Sequence, residues 1–438
     1  MHRIVLIGAG STIFGLGVVG DIFKSKTLEG STIVLHDINP EALNNTLKIA
    51  NDYKEKLGKN ISIEATTSRK KALQGASFCL ISIEVGNRFD LWDQDWKMPL
   101  QYGIKQVYGE NGGPGGLFHS LRIIPPILEI CEDIQAICPD AYVFNYSNPM
   151  QRICHAVTSK FPNLNFIGLC HEIESMRRQL PTLMETELSN IEFRAGGLNH
   201  FSILLDAKYK NNGKDGYPSI RRNFRDYFKD LVNDHEGFKS DPGAERGVFF
   251  KIYEDFNYLP ITTDSHLGEY VQWAYSVADH GGILHFYDSY KEKCLTFFES
   301  DKLYSSFFDM DSQTFHERFV PIAEAIIEDQ GLEEASVNIP NNGFIDCLPK
   351  DIVVEVPAIV DKNGIKGITL ENYPKTFGSL LNLQSGVIQL TTQAVLEKSK
   401  HKAYLALLAD PVVTSVNDAE KLLNNMITVQ NKYLSYLN

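Results

Sequence analysis

Short β-branched apolar runs alternate with amphipathic segments through the first half of the chain, and few folds other than a parallel sheet covered by helices accommodate that rhythm. Strands are expected at residues 3–7, 32–36, 77–82, 142–146 and 166–169, with helices at 17–23, 40–55 and 121–137 between them. The rhythm changes near residue 195. Residues 191–210, IEFRAGGLNHFSILLDAKYK, read as strand, 219–232 and 311–329 as helix, and 338–368 as a looped segment before two closing helices at 385–408 and 418–437. The polar stretch 208–217 reads as an exposed turn or hairpin loop.

GAGSTIFG, Gly8 to Gly15, lies between the first strand and the first helix, the context that gives a glycine-rich fingerprint meaning. Glycines let backbone approach a pyrophosphate, and amides at a helix N-terminus receive its charge. The third glycine of the usual GxGxxG is displaced, with Ile13 in its place and Gly15 two residues on. Asp37 ends the second strand in VLHDINP, where an acid accepts hydrogen bonds from an adenosine ribose and favours NAD over NADP. Gly8, Gly10, Ser11, Thr12, Phe14 and Asp37 are therefore the expected NAD contacts; a tight turn followed by a strand-capping Asp is the alternative. The expected architecture is α/β: a doubly wound, mostly parallel Rossmann domain over 1–195 and an α+β domain over 196–438 for substrate, metal and oligomerisation, similar overall to lactate and malate dehydrogenases.

At 438 residues two packed domains are the natural division. A net charge of −13 lacks the dense Lys and Arg that phosphate backbones require, so small molecules rather than nucleic acids are the expected partners. No run approaches a membrane span, and MHRIVLIGAG leads into a strand instead of a cleavable signal, so a cytoplasmic protein is expected. Seven scattered cysteines without a CxxC pair suit reduced thiols.

Three polar motifs fall at expected strand ends, where a doubly wound sheet forms its ligand crevice. They are NYSNP with Asn148, GLCHEI with Cys170, His171 and Glu172, and GLNHF with Asn199 and His200. A thiolate and an imidazole suit a transition-type cation, and two protein ligands leave positions for substrate hydroxyls. Taken singly, Cys170 reads equally as strand-end packing, His200 as a loop histidine and Asn148 as an Asx turn before proline.

GAGS, the Asp after the second strand, SNP, C-H-E, G-L-N-H, TTDSHLGEYVQW and NIPNNGFIDCLPKDIVVEVPA together resemble the family-four glycoside hydrolases over most of the chain. That resemblance implies an NAD- and divalent-metal-dependent glycosidase, with Cys170 and His200 holding the metal, commonly manganese, and Asn148 binding the sugar. Cys170-His171-Glu172 is similar to the α-glucosidase subgroup acting on unphosphorylated α-glycosides. TTDSHLGEYVQW looks nearer to α-galactosidases and α-galacturonidases or glucuronidases. A homodimer or homotetramer through the C-terminal helices is implied as well.

The implied route oxidises sugar C3 with NAD, removes the acidified C2 proton, eliminates the C1 oxygen, adds water and returns the hydride; NAD-dependent family-four enzymes depart from the two-carboxylate scheme of other glycosidases. A divalent cation suits the enediolate charge between C2 and C3. Asp264 is the expected C2 base, with Tyr258 in reserve; a helix N-cap before HLGEY is an equal reading of Asp264. His171 is expected either to protonate the leaving group or to orient a ligand from behind. Asn111, His119 and Arg122, in and after YGENGGPGG, are expected beside the sugar with Glu110, while Arg122 reads alternatively as the partner of a structural carboxylate. His266 and Glu269 are placed in the same pocket loop as Asp264. The rival readings are a hydroxy-acid dehydrogenase, which releases NADH, and a catalytically silent NAD- or carbohydrate-binding protein, which turns over no glycoside.

Overall fold

The computed structural model describes residues 1–11, 13–233, 245–299, 304–312 and 315–437, with side chains for all of these except 229–233 and 299. Its centre is one eleven-stranded sheet. Strands β1 (Arg3–Ile7), β2 (Thr32–His36), β3 (Ser62–Thr66), β4 (Phe78–Ile81), β5 (Tyr142–Asn145) and β6 (Asn165–Gly168) run parallel in the order β3-β2-β1-β4-β5-β6. This is the Rossmann order, with its switch point between β1 and β4. The expected strands are all present. β3, SIEAT, was not expected: it is an edge strand with no fully buried residue, and its polar side chains hide the apolar signal.

The sheet then continues in antiparallel strands. β7 (Ile191–Leu198) and β8 (Phe201–Tyr209) form a hairpin that splits the expected single strand at Asn199-His200. β9 (Leu332–Pro340) pairs with β6, β10 (Val353–Asp361) lies between β9 and β7, and β11 (Gly364–Gly367) adds to β10. The segment 338–368, expected as a loop, thus supplies much of three strands. Only its centre is loop, where Asn341 Nδ2 bonds the carbonyls of Ile345, Leu348 and Pro349 at 2.9–3.1 Å. The sheet runs unbroken across residue 195.

Both faces of the sheet are covered, so β1 is apolar throughout: Ile4 and Leu6 enter one buried cluster, Val5 and Ile7 the other. The second cluster lies under helix Gly113–Ile137 and the C-terminal helices Lys400–Ala409 and Val416–Val429. Helix Gly113–Ile137 begins well before the expected 121, because Pro114 sits in its first turn, a position that needs no N–H partner. The expected helix 385–408 is two helices, Lys375–Leu396 and Lys400–Ala409, broken where Lys398 takes φ +53° and Ser399 Oγ accepts from Lys402 N. Of the expected 311–329 only Phe319–Glu328 is helical, and residues 313–314 lie outside the described residues.

The displaced glycine has a packing role. A Cβ on Gly15 would stand 2.4 Å from the Ala9 carbonyl oxygen, so its absence lets helix Phe14–Lys24 close onto the β1 turn. A bulky replacement must push that helix away. Gly15→Val is expected to cost about 1–3 kcal/mol, the usual range for forced overpacking, read as a lowered urea midpoint with an unchanged slope; a wild-type midpoint would remove this role from Gly15.

Candidate active site

The glycine turn is shaped by Gly8 and Gly10. Gly8 has φ +88°, and a Cβ there would meet the Ser82 carbonyl oxygen at 2.0 Å. Its N–H and that of Ala9 donate to the His36 carbonyl at 2.9 and 3.0 Å, and Ser11 N donates to Gly8 O at 2.9 Å. The Asp37 carboxylate accepts from Gly10 N and Asn39 N, each at 2.8 Å, which ties the turn to the end of β2. No acidic residue occupies the first turn of helix Phe14–Lys24. Phe14 packs its ring 4.5 Å from that of Tyr146 at the end of β5. Thr12, an expected contact, lies outside the described residues.

Cys170 follows β6, and His200 occupies the tip of the β7–β8 hairpin with φ +63°. Both are buried, and Cys170 Sγ stands 3.3 Å from His200 Nε2. The structure therefore brings together two donors separated by thirty positions in sequence. Burial, then the Glu172 and Glu355 carboxylates, pushes the Cys170 thiol well above the usual thiol range. Burial, then His266 and His171, holds the His200 imidazole well below its ordinary value. A neutral imidazole is the form that ligates a cation, and a bound cation takes over from the proton on a coordinating thiol. One sulfur and one imidazole nitrogen this close fit a transition-type ion. Among the described residues no cluster of three His, Cys, Asp or Glu forms here, so the pair leaves coordination positions for other ligands.

His266 lies parallel to the His200 ring, with centroids 4.3 Å apart and an interplanar angle of 8°. Three residues on, the Glu269 carboxylate accepts from Glu110 N at 2.6 Å and from Asn111 N at 3.0–3.1 Å. The segment 264–270 thus joins the Cys170–His200 pair to the loop of YGENGGPGG. Burial, then the neighbouring Glu110, pushes the Glu269 carboxyl well up, against the pull of those backbone N–H groups.

That loop and its neighbours make a polar wall. Glu110 accepts from Arg88 Nη2 at 3.0 Å, from Asn111 Nδ2 at 3.2 Å and from Asn148 Nδ2 at 3.4 Å. His119 sets Nδ1 2.9 Å from Glu110 O and Nε2 3.5 Å from Glu84 Oε2. Burial alone would raise the Glu84 carboxyl, but Arg88 and His119 outweigh it and bring it to about 2. Asn111 Oδ1 is buried without a hydrogen-bond partner among the described residues, an open acceptor in the wall.

Several of the expected residues are held by further partners. Arg122 takes its alternative reading, the partner of a structural carboxylate: Nη1 and Nη2 bond Asp95 at 2.9 and 2.6 Å and Nη1 also bonds Gln430 at 2.8 Å, while Nε is buried without a hydrogen-bond partner among the described residues. Its charge neutralises a buried carboxylate between two helices. Asp264 is fully buried, and its carboxylate accepts from Gly247 N (2.7 Å), Phe249 N (3.0 Å) and Asp279 N (2.9 Å). It holds the first turn of helix Gly247–Phe256 from outside that helix, while itself standing as the first residue of the short helix Asp264–Leu267, whose N-cap is Thr263. Tyr258 packs edge-on against Tyr217, with 6.2 Å between centroids. His171 is mostly exposed, with Nε2 3.8 Å from Glu172 Oε1.

Residues unnoticed in sequence complete the surroundings. Glu245, with φ +61°, accepts from Ser265 N at 2.9 Å and Thr263 Oγ1 at 3.0 Å, holding the start of the segment 264–270. Glu355 accepts from Asn199 Nδ2 at 2.8 Å and Ser202 Oγ at 3.0 Å, on both sides of His200. Neither has a local motif: each acts through a partner over a hundred positions away or across a segment that only the fold closes.

Two family models match the chain, one described as "Family 4 glycosyl hydrolase" over residues 3–186 and one as "Family 4 glycosyl hydrolase C-terminal domain" over 195–413. An alpha-glucosidase of Erwinia rhapontici is 49% identical, covering 99% of both chains. An alpha-galactosidase of Bacillus subtilis is 29% identical over 94% of this chain and 93% of its own. Among solved structures, a putative glucosidase of Bacillus subtilis superposes with TM-score 0.83 at 26% identity, over 97% of this chain and 99% of that one. A 6-phospho-alpha-glucosidase from gut microorganisms, in complex with NAD and Mn²⁺, gives 0.82 at 21% identity over 99% and 98%. Malate dehydrogenase of Cryptosporidium parvum gives 0.54 at 15% over 91% and 100%, a likeness of fold that matches the dehydrogenase-like architecture expected from sequence.

The pairing of Arg122 with Asp95 is open to test. Arg122→Met leaves the Asp95 carboxylate buried without its cation, a loss of about 3–5 kcal/mol in chemical denaturation. Restoring apolar packing with Asp95→Leu on the same chain is expected to recover most of it. A sugar-contacting Arg122 would instead raise KM and leave the midpoint unchanged.

Proposed function

The chain belongs to the family 4 glycosyl hydrolases, and we propose that it is an NAD- and manganese-dependent α-glucosidase acting on unphosphorylated α-glycosides. The buried pair of Cys170 and His200, 3.3 Å apart at the same sheet edge as the glycine turn, carries this reading. The 49% identity to an alpha-glucosidase over nearly the whole of both chains supports the sugar and the anomer.

Cys170 Sγ and His200 Nε2 would hold the cation, and the turn Gly8–Ser11 with the amides of helix Phe14–Lys24 would receive the pyrophosphate of NAD. Thr12 belongs to that proposed set as well. Asp37, fixed at the end of β2, presents its carboxylate to a ribose. When bound, NAD supplies reversible hydride acceptance at sugar C3 and the cation supplies charge stabilisation at the C2 and C3 oxygens. Asn148 and Asn111 offer amide groups to sugar hydroxyls, with the open Asn111 Oδ1 as an acceptor and His119 fixing the loop from behind. His171, mostly exposed beside Cys170, is placed to give a proton to the departing C1 oxygen.

Among the described residues no helix is long and apolar enough to cross a membrane. A thiol that must stay reduced to ligate suits the cytoplasm. Exposed Leu383, Leu396, Leu408, Val416 and Val429 on the C-terminal helices support self-association through that face.

The reading is tested with nitrophenyl α-glucoside, α-galactoside and α-galacturonide under reducing conditions. Cleavage of the α-glucoside is expected only with both NAD and Mn²⁺, with no net NADH, and with deuterium at C2 of glucose formed in heavy water. Cys170→Ser is expected to cost more than the roughly 10–100-fold typical of losing an outer partner of a metal ligand. Preference for the galactoside or galacturonide would reassign the sugar, and NADH accumulation from a hydroxy acid would replace the glycosidase reading altogether.

A further inference from the structure

Glu355 sits in β10 between the two elements that carry the paired donors. It is 4% exposed and has no ion-pair partner among the described residues. On one side its backbone pairs with Gly197 of β7, on the other with Asn338 of β9. Its carboxylate collects three donors: Asn199 Nδ2 at 2.8 Å, Ser202 Oγ at 3.0 Å and Asn338 Nδ2 at 3.5 Å. Asn199 immediately precedes His200 and Ser202 follows it by two. The same Asn338 amide lies 3.4 Å from the Gly168 carbonyl, two residues before Cys170.

One buried carboxylate therefore touches both flanks of the hairpin tip and, through Asn338, the end of β6. We infer that Glu355 is a positioning residue that sets the spacing of Cys170 and His200 and, through it, the protein's affinity for a divalent cation. The inference rests on the reading of those two residues as metal ligands.

The chemistry favours an acceptor here over any other group. Two amide NH₂ groups and a hydroxyl converge, and an ionised carboxylate offers only acceptors. An apolar side chain would leave both amides buried and unpaired, at the desolvation cost such orphans carry. His200 holds a left-handed φ of +63°, which a non-glycine residue keeps only when its surroundings over-determine it. Asn199 is held three times, by Glu355 through its side chain, by Gln151 Oε1 through its N–H at 3.1 Å and by the Tyr270 hydroxyl, which donates to its carbonyl at 3.4 Å. Without the carboxylate the tip is free to relax, and the Sγ to Nε2 spacing relaxes with it. A group behind a ligand acts on affinity in this way without touching the ion.

Full-length reduced protein is titrated with Mn²⁺ alone, free ion being read by electron paramagnetic resonance, and NAD affinity is measured in parallel by fluorescence. Glu355→Ala is expected to weaken Mn²⁺ binding about 10–100-fold while leaving the NAD affinity unchanged, because five strands, β4, β5, β6, β9 and β10, lead from the β1 turn to the β7–β8 hairpin and Glu355 touches none of the turn. Glu355→Gln, which keeps an acceptor for Asn199, is expected to stay within a few-fold of wild type. Wild-type Mn²⁺ affinity in Glu355→Ala, with binding lost in Cys170→Ser, overturns the inference. Wild-type affinity in Cys170→Ser overturns instead the ligand reading beneath it. Should Glu355→Ala not fold, Asn338→Leu, which cuts the link to Gly168, is expected to weaken Mn²⁺ binding, and unchanged affinity there overturns the inference.

Discussion

Gly168 in β6 pairs with Asn338 in β9, and this contact joins the parallel half of the sheet to the antiparallel half. A Cβ on Gly168 would meet Cys154 Sγ at 2.6 Å and the Cβ of Asn338 at 3.0 Å, so the approach needs a residue without a side chain. Because β9 lies against β6, β10 and then the β7–β8 hairpin follow in order, and the hairpin tip arrives beside the residue that follows β6. The meeting of Cys170 with His200 is thus a result of sheet register. Neither residue reaches the other through local structure.

Around that meeting point the protein uses buried carboxylates as backbone anchors. Asp264 gathers N–H groups of one helix and one loop, Glu269 those of the loop 110–112, and Glu245 that of Ser265. Burial pushes each of these acids above its ordinary range, while the N–H groups they accept from pull the other way. An acid held this way trades chemical reactivity for geometry, since its lone pairs are already committed. Asp264 is the clearest case, with the backbone N–H groups of Gly247, Phe249 and Asp279 on one carboxylate.

Much of the parallel half was legible in the sequence because its strands are buried on both faces and read as continuous apolar runs. The edge strand β3 escaped for the opposite reason, whereas the well-buried β10 and its neighbour β9 escaped because their Asn, Glu and Pro residues resemble loop chemistry until a sheet surrounds them. Cys170, His200 and Asn148 stood out because reactive side chains at strand ends are conspicuous. For Arg122 and Asp264 the sequence left two readings each, because the carboxylate and the amides that claim them lie far off in sequence, at Asp95, Gln430, Gly247 and Asp279. Glu355 gave no signal at all: within VVEVP it is one polar residue in an apolar strand, and its three donors come from two other strands and a turn.

The chain also reaches back over its own first half on both faces. On one, the segment 306–308 lies across helix Phe14–Lys24, where a Cβ on Gly20 would stand 2.2 Å from the Phe307 carbonyl oxygen, and Asp21 accepts from His316 N and Glu317 N at 3.0 and 2.8 Å. On the other, Tyr436 donates to Leu121 O at 2.8 Å, and Gln430 meets Arg122. Wrapping of this kind ties the two halves together through contacts on both faces of the sheet, so loss of structure in either half uncovers core that the other shields.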